Sequence, residues 1–360
     1  MLGVKTLPSA SGVEKVVEEV GSRLVARGHE VTVFTRAHLA RSGPYEYRGI
    51  RVRPTWSIPT KHLDAATHAV AAALSMDRAT DVVHVHTTNF APAVAISRVR
   101  RIPVVVQSHG LDWRRAKWGA VASTYLWVSD AMSRHWSDDL VVVSRTLEAA
   151  YRRRSGRAPV VIPNGVAKWP AYAREDLKPL GLDDRRYILF AARLVPEKGC
   201  HVLLDAFDRL EPGDVHLVVA GEDLYDGAYA KTLAARAGPR VHFVGAVLGD
   251  RFRALVQHAD VFVLPSELEG LSTGLLEAMA AGRCIVASNL PENAEALGEA
   301  GVQFPSGDAA ALTGALARVL ADGGLRERLG QCARERAFSL YDWDASTELL
   351  EKVYQHAANR

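Results

Sequence analysis

The chain has 360 residues, 48% hydrophobic and 24% charged, which favours two domains with sizeable cores over one and is ordinary for a soluble globular protein. Its net charge of +3 is unevenly divided, about +11 up to residue 170 and −8 beyond; the first half suits an anionic partner (a membrane surface, a phosphorylated acceptor, a nucleic acid) or carries a solvated basic face. No apolar run reaches the ~18 residues of a membrane span, no signal-peptide pattern opens the chain, and Cys200, Cys284 and Cys332 lack metal-ligand spacing and read as reduced thiols of a cytoplasmic protein.

The opening "MLGVKTLPSASG" reads as the tail of a strand entering a Gly/Ser/Pro loop. Val13, Val16, Val17, Val20 and Leu24 then recur at helical spacing, which predicts an amphipathic helix ending near Gly28. Strands are predicted at 31–34, 82–86, 102–110, 140–144 and 159–166, the last ending in the Asn164-Gly165 turn. Helices are predicted at 60–76, 120–136 and 145–154. This alternation specifies βα units and a parallel sheet covered on both faces.

Residues 167–186 contain proline and mixed charge without strand signals, and read as a linker. The alternation then restarts, with strands at 187–193, 215–221, 241–245, 261–266, 284–288 and 301–305, helices between the first five of these, and further helices after the last. The expected fold class is therefore α/β, with two doubly wound parallel-sheet domains. Ligands of such sheets sit beyond the carboxyl ends of the strands, which directs attention to polar residues just after each strand and to a cleft between the domains.

Two stretches stand out there. In "SELEGLSTGLLEAMAAG", Ser272, Thr273 and Gly274 open a helix whose unpaired N–H groups and dipole suit an anion, and Gly274 leaves the backbone open to close approach. Glu277 lies one turn further in and Glu269 in the preceding loop, so a ligand with a phosphate in the middle and hydroxyls at both ends, such as a nucleotide sugar, fits. Taken alone, the two carboxylates fit equally a Glu277 that serves its own helix and a solvated Glu269. In "YILFAARLVPEKG", Arg193 and Lys198 lie five apart at a strand end beside a helix start, an arrangement that suits a diphosphate and the charge that grows on it as it departs.

These motifs, in this order, resemble the retaining nucleotide-sugar glycosyltransferases of family 4. The first half agrees: "SGVEKVVEEVGSRLVARGHEVTVFTR", "DVVHVH" and "VVVSRTLEAAYRRRSGRAPVVIPNGV" are typical, and "HGLDWRRAKWG" resembles bacterial rhamnosyltransferases and other polysaccharide-assembly enzymes. The resemblance implies the GT-B fold, two Rossmann-like domains facing across a cleft: an acceptor domain at 1–167, a nucleotide-sugar domain at 168–340, and a C-terminal helix at 341–360 crossing back to the first. It implies that Arg193 and Lys198 bind the donor diphosphate, that Glu277 holds the ribose and Glu269 the transferred sugar, and that N–H groups at 271–274 meet the β-phosphate. It also implies that His109 faces the donor sugar and that Gly12 lies near the diphosphate and acceptor. The family often has Gly-Gly where this chain has Ser11-Gly12.

No feature requires a metal or cofactor, the two cations standing in for a divalent ion. The expected partners are a nucleotide sugar and an acceptor (a glycan, a lipid-linked sugar or a small molecule), without nucleic acid. Trp113 and Trp118 among Arg114, Arg115 and Lys117, and the basic "YRRRSGR" at 151–157, fit a peripheral contact with the inner membrane face or, equally, inward-packed aromatics and a solvated helix end. His84 and His86 read as strand-end packing or polar contacts, since no third metal ligand is evident. Two rivals remain: a nucleotide-sugar epimerase of the same architecture, whose acid/base carboxylates cannot be placed, and a non-catalytic nucleotide-sugar-binding protein. A dinucleotide dehydrogenase is disfavoured because "LPSASGVE" lacks G-x-G-x-x-G.

Overall fold

The computed structural model describes every residue except 10, 61–62, 112–119, 156–157, 212 and 224–226. Its contacts divide the chain into two units, Met1–Asn164 with Trp343–Arg360, and Gly165–Asp342.

In the first unit, β4 (Val83–Val85), β5 (Val104–Ser108), β6 (Asp139–Val142) and β7 (Val160–Val161) form one parallel sheet. β1 (Thr32–Arg36) and β3 (Ile50–Thr55) pair in parallel, with β2 (Tyr45–Tyr47) antiparallel at the edge. The opening residues join the two groups. Phe34 N–H donates to Met1 O at 3.1 Å and Arg36 N–H to Lys5 O at 2.8 Å, while Leu2 N–H donates to His84 O at 2.8 Å and Leu2 O accepts from His86 N–H at 2.9 Å. The expected first strand is thus a short central segment, and the strand order reverses between it and β4. The helices of this unit are α1 (Gly12–Ala26), α2 (Asp64–Leu74), α3 (Ala91–Val99), α4 (Ala120–Trp136), α5 (Arg145–Ser155) and α13 (Trp343–Ala358). The predicted stripe of α1 buries Val16, Val17, Val20 and Leu24 against Val33, Val52, Val105 and Val141, and α13 adds Trp343, Leu350, Val353 and Ala357 to the same core.

The β2–β3 hairpin and α3 are elements that the alternation did not indicate. The hairpin turns at Arg48 (φ 51°) and Gly49 (φ 78°), the left-handed pair that a two-residue turn requires. The expected linker contains a 3-10 helix, Arg174–Leu180.

The second unit is one parallel sheet in the order β10-β9-β8-β11-β12-β13, built from β8 (Arg186–Ala191), β9 (Val215–Ala220), β10 (Val241–Gly245), β11 (Val261–Leu264), β12 (Cys284–Ser288) and β13 (Val302–Phe304). Its helices are α6 (Cys200–Asp208), α7 (Ala228–Ala234), α8 (Gly249–Gln257), α9 (Thr273–Ala280), α10 (Pro291–Leu297), α11 (Ala309–Ala321) and α12 (Gly323–Leu340); α10 was not anticipated. Strands buried on both faces read as unbroken apolar runs, and VFVL of β11 and CIVAS of β12 are buried throughout. Here the order reverses between β8 and β11, where a doubly wound sheet opens a crevice at its carboxyl edge. All three cysteines are free, Cys332 exposed and the others buried.

Candidate functional site

Arg193 lies two residues beyond β8, at the switch point of the second unit. Its backbone is held from the β9 side: Ala192 N–H donates to Ala220 O and Leu194 N–H to Glu222 O. Gly221, at φ 154°, permits this approach, since a Cβ there would stand 1.9 Å from Ala192 O. The half-buried Arg193 guanidinium has no ion pair among the described residues.

The loop then makes a 3-10 turn, Pro196–Lys198, closed by Gly199 at φ 70°. A Cβ on Gly199 would lie 2.0 Å from Pro265 O, so glycine here lets the loop after β8 press on the loop after β11. Glu267 N–H donates to Glu197 O at 2.9 Å across the same seam. The contact brings Lys198 Nζ to 2.5 Å from Glu269 Oε1, with the two side chains 15% and 6% exposed. Sequence reasoning placed these residues on different parts of a ligand. Here they form one ion pair, a cation and a carboxylate that each bring the other's charge into the site.

Ser266 completes the arrangement and was not singled out from sequence. Its Oγ donates to the same Glu269 oxygen at 2.7 Å. Its carbonyl accepts from Ser288 Oγ at 2.5 Å and Ser306 Oγ at 3.3 Å, and Asn293 Nδ2 donates to Ser288 O at 3.0 Å. Ser266, Ser288 and Asn293 are buried, so a satisfied polar network fixes one Glu269 oxygen and leaves Oε2 to other partners.

Ser272 caps α9 by accepting from Leu275 N–H at 3.3 Å. Among the described residues nothing accepts from the N–H groups of Thr273 and Gly274. Glu277 sits one turn into α9, half-buried. The second unit thus gathers Arg193, Lys198, Glu269, Ser272, Thr273, Gly274 and Glu277 at the carboxyl ends of β8 and β11. An open cavity of about 380 Å³, lined by Leu180, Val244, Ala246, Val247, Leu248 and Arg251, borders none of them.

In the first unit Gly12 is exposed and begins α1, just after the central segment. Glu14, one of that helix's first residues, accepts from Lys5 N–H at 3.0 Å and ties the helix start to the segment. His109 follows β5, half-buried, with its Nε2 3.4 Å from Nδ1 of His86, which follows β4. His84 and His86 are buried neighbours, and no group of three or more potential metal ligands occurs among the described residues. Trp113, Arg114, Arg115, Lys117, Trp118 and Arg157 lie outside the described residues.

Comparison with known proteins supports the fold and gives the family. The family model for glycosyltransferase family 4 matches residues 10–168, and that for glycosyl transferases group 1 matches 173–336. A phosphatidyl-myo-inositol mannosyltransferase of Mycobacterium leprae is 31% identical over 96% of this chain and 93% of its own length. Glycogen synthase of Mycobacterium tuberculosis is 29% identical over 95% and 90%. Among solved structures, sucrose-phosphate synthase from Thermosynechococcus elongatus superposes with a TM-score of 0.80 at 24% identity, covering 98% of this chain and 94% of that one. HepE from Anabaena, in complex with UDP and glucose, superposes at 0.82 with 18% identity, covering 98% of each. Two Rossmann-like units are the GT-B fold, and the family models and the mannosyltransferase relative make the chain a glycosyltransferase. The chain belongs to glycosyltransferase family 4.

Proposed function

We propose that the protein moves a sugar, with retention of anomeric configuration and without a metal, from a nucleotide-diphosphate sugar to an acceptor hydroxyl. The observation that carries the reading is the meeting of Arg193, Lys198, Glu269 and the open N–H groups of Thr273 and Gly274 at one strand-order reversal. Two cations and a helix start suit a diphosphate, and they stabilise the charge that develops as it leaves. Glu269 Oε2 accepts from a hydroxyl of the transferred sugar and Glu277 from the ribose diol, while the resemblance gives His109 a contact with the sugar and Gly12 a place near the diphosphate and acceptor.

In the step we propose, the bond from the anomeric carbon to the phosphate oxygen breaks. The acceptor oxygen bonds to that carbon from the same face, and its proton passes to the departing phosphate. The solved complex of HepE with UDP and glucose supports a nucleotide-sugar donor. Related enzymes named for glycogen and for phosphatidyl-myo-inositol support an acceptor among glycolipids, polysaccharide precursors or small glycosides, and the rhamnosyltransferase-like "HGLDWRRAKWG" leans toward the first two. A peripheral contact with an anionic membrane belongs to the same proposal. An epimerase would return an altered sugar with no acceptor present, and a binding protein would leave the donor intact.

The test is a thermal-shift series with UDP, GDP and dTDP and their sugars, each variant compared with its own ligand-free melting point. Lys198→Ala removes most of the gain from every diphosphate that stabilises the parent. It also leaves Glu269 buried without its cation, which costs about 3 kcal/mol, so Lys198→Met with Glu269→Gln is measured beside it. A parental shift in both variants refutes the phosphate site.

A further inference from the structure

Three histidines and a tyrosine run through the first unit from α13 to the end of β5. Tyr354 hydroxyl lies 2.7 Å from His84 Nδ1, the rings of His84 and His86 are 3.8 Å apart at their centres, and His86 Nδ1 lies 3.4 Å from His109 Nε2. The His86 and His109 rings are stacked, with 19° between their planes. Both inner histidines are fully enclosed, and burial pushes each well below the ordinary histidine value. Each is therefore neutral and carries a single ring proton.

Where those protons sit follows from which groups can receive them. His86 Nε2 is buried with no partner. A proton there would be an orphaned buried donor, which costs more than a bare lone pair. On Nδ1 the same proton has an acceptor, His109 Nε2.

We propose that His86 is a positioning residue that fixes the tautomer of His109, holding Nε2 as an acceptor and placing the single proton on Nδ1. A histidine side chain in water favours the opposite form, with its proton on Nε2, so the neighbour reverses the intrinsic preference. His109 then carries its N–H on Nδ1 and faces His86 with a bare nitrogen. The tautomer rests on this geometry alone; its meaning for catalysis rests on the reading of His109 as a contact of the donor sugar.

The experiment is long-range proton–nitrogen correlation on protein labelled with ¹⁵N-histidine at pH 7.5, with His109 assigned by the loss of its signals in His109→Gln. The parent shows His109 protonated on Nδ1. His86→Leu, checked for folding by its melting curve, returns His109 mainly to the Nε2 form. His86→Asn, whose amide can donate from near the Nδ1 position, restores the parental pattern. An Nε2 proton in the parent overturns the inference without any variant, as does a parental pattern that survives in folded His86→Leu. If the parent is protonated on Nδ1 and His109→Gln keeps the whole stabilisation given by a sugar nucleotide over its diphosphate, the tautomer assignment stands and the donor role of His109 fails.

Discussion

A Cβ built on Gly274 would lie 3.5 Å from Ala191 O and 3.6 Å from Phe262 Cζ, both ordinary contacts. Nothing in the protein's own packing demands glycine there, in contrast to Gly199 and Gly221, whose Cβ atoms would strike carbonyl oxygens. What a methyl group would cover is the N–H at the start of α9. Gly274→Ala should therefore leave the ligand-free protein as stable as the parent, or more stable by about 0.5–1 kcal/mol from helix propensity. Diphosphate binding should weaken by roughly tenfold, a loss of about 1.4 kcal/mol that titration calorimetry can read. Undiminished affinity would mean that the anion does not approach this turn. The residues themselves were legible because switch-point chemistry falls just after strands, which singled out Arg193, Lys198, Glu269 and the 272–274 turn. Their pairing was not. Lys198 and Glu269 are 71 positions apart, and only the Gly199–Pro265 contact reveals that they meet. Ser266 escaped notice because a serine ending an apolar strand looks like a loop residue until its partner is known.

At the scale of elements, the first unit encloses three neutral histidines: His68 on α2, and His84 and His86 in and just after β4. Burial, with the nearby Arg36 charge as a lesser cause, lowers His68 to about 4; burial is also the main cause for the other two. The unfolded chain binds these protons near the ordinary histidine value of about 6.5, whereas the folded chain does not. Stability is therefore complete above that pH and is lost as the pH falls toward 4, by about 2 kcal/mol from His68 at pH 5, with His84 and His86 acting in the same direction. The melting temperature should drop between pH 7.5 and pH 5, and His68→Leu should flatten part of the drop. An equal drop in the variant would show that His68 contributes nothing to it. The main strands and helices were readable from apolar runs and helical spacing because parallel strands are covered on both faces. β3 does alternate, with Ile50 and Val52 buried between exposed Arg51 and Arg53, but it is only six residues long and lacks the continuous apolar run that marked the other strands. α3 and α10 are short helices of nine and seven residues that carry Pro92 and Pro291 in their first turns, so neither offers much periodicity to detect.

For the whole molecule, the charge division bears on the proposed membrane contact. No helix among the described residues is long and apolar enough to cross a membrane. On α4 of the basic half, Tyr125, Trp127 and Val128 are 42%, 52% and 40% exposed with Thr124 beside them, an uncharged outer face. Arg152 and Arg153 are exposed near the end of α5, and α5 is tied to α4 by Tyr151 hydroxyl at 2.8 Å from Asp130 Oδ1. Aromatics suit the headgroup boundary, and each nearby basic residue contributes about 1 kcal/mol on an anionic surface. The protein should co-sediment with phosphatidylglycerol vesicles at low salt, much less with phosphatidylcholine, and less again in roughly 0.5 M salt, where screening shortens the reach of charge. Trp127→Ser should weaken binding even at low salt. Equal affinity for the two lipids would exclude the contact.

The Trp343–Arg360 stretch belongs to the first unit although the whole of the second unit precedes it in the chain. Val166 and Asp342 pair where the chain enters and leaves the second unit, with Val166 N–H donating to Tyr341 O at 3.0 Å. A ribosome therefore delivers the second unit as one uninterrupted stretch, able to close on itself, while the earlier-made first unit still lacks Trp343, Leu350 and Val353. The half that is synthesised first is the half that must finish last.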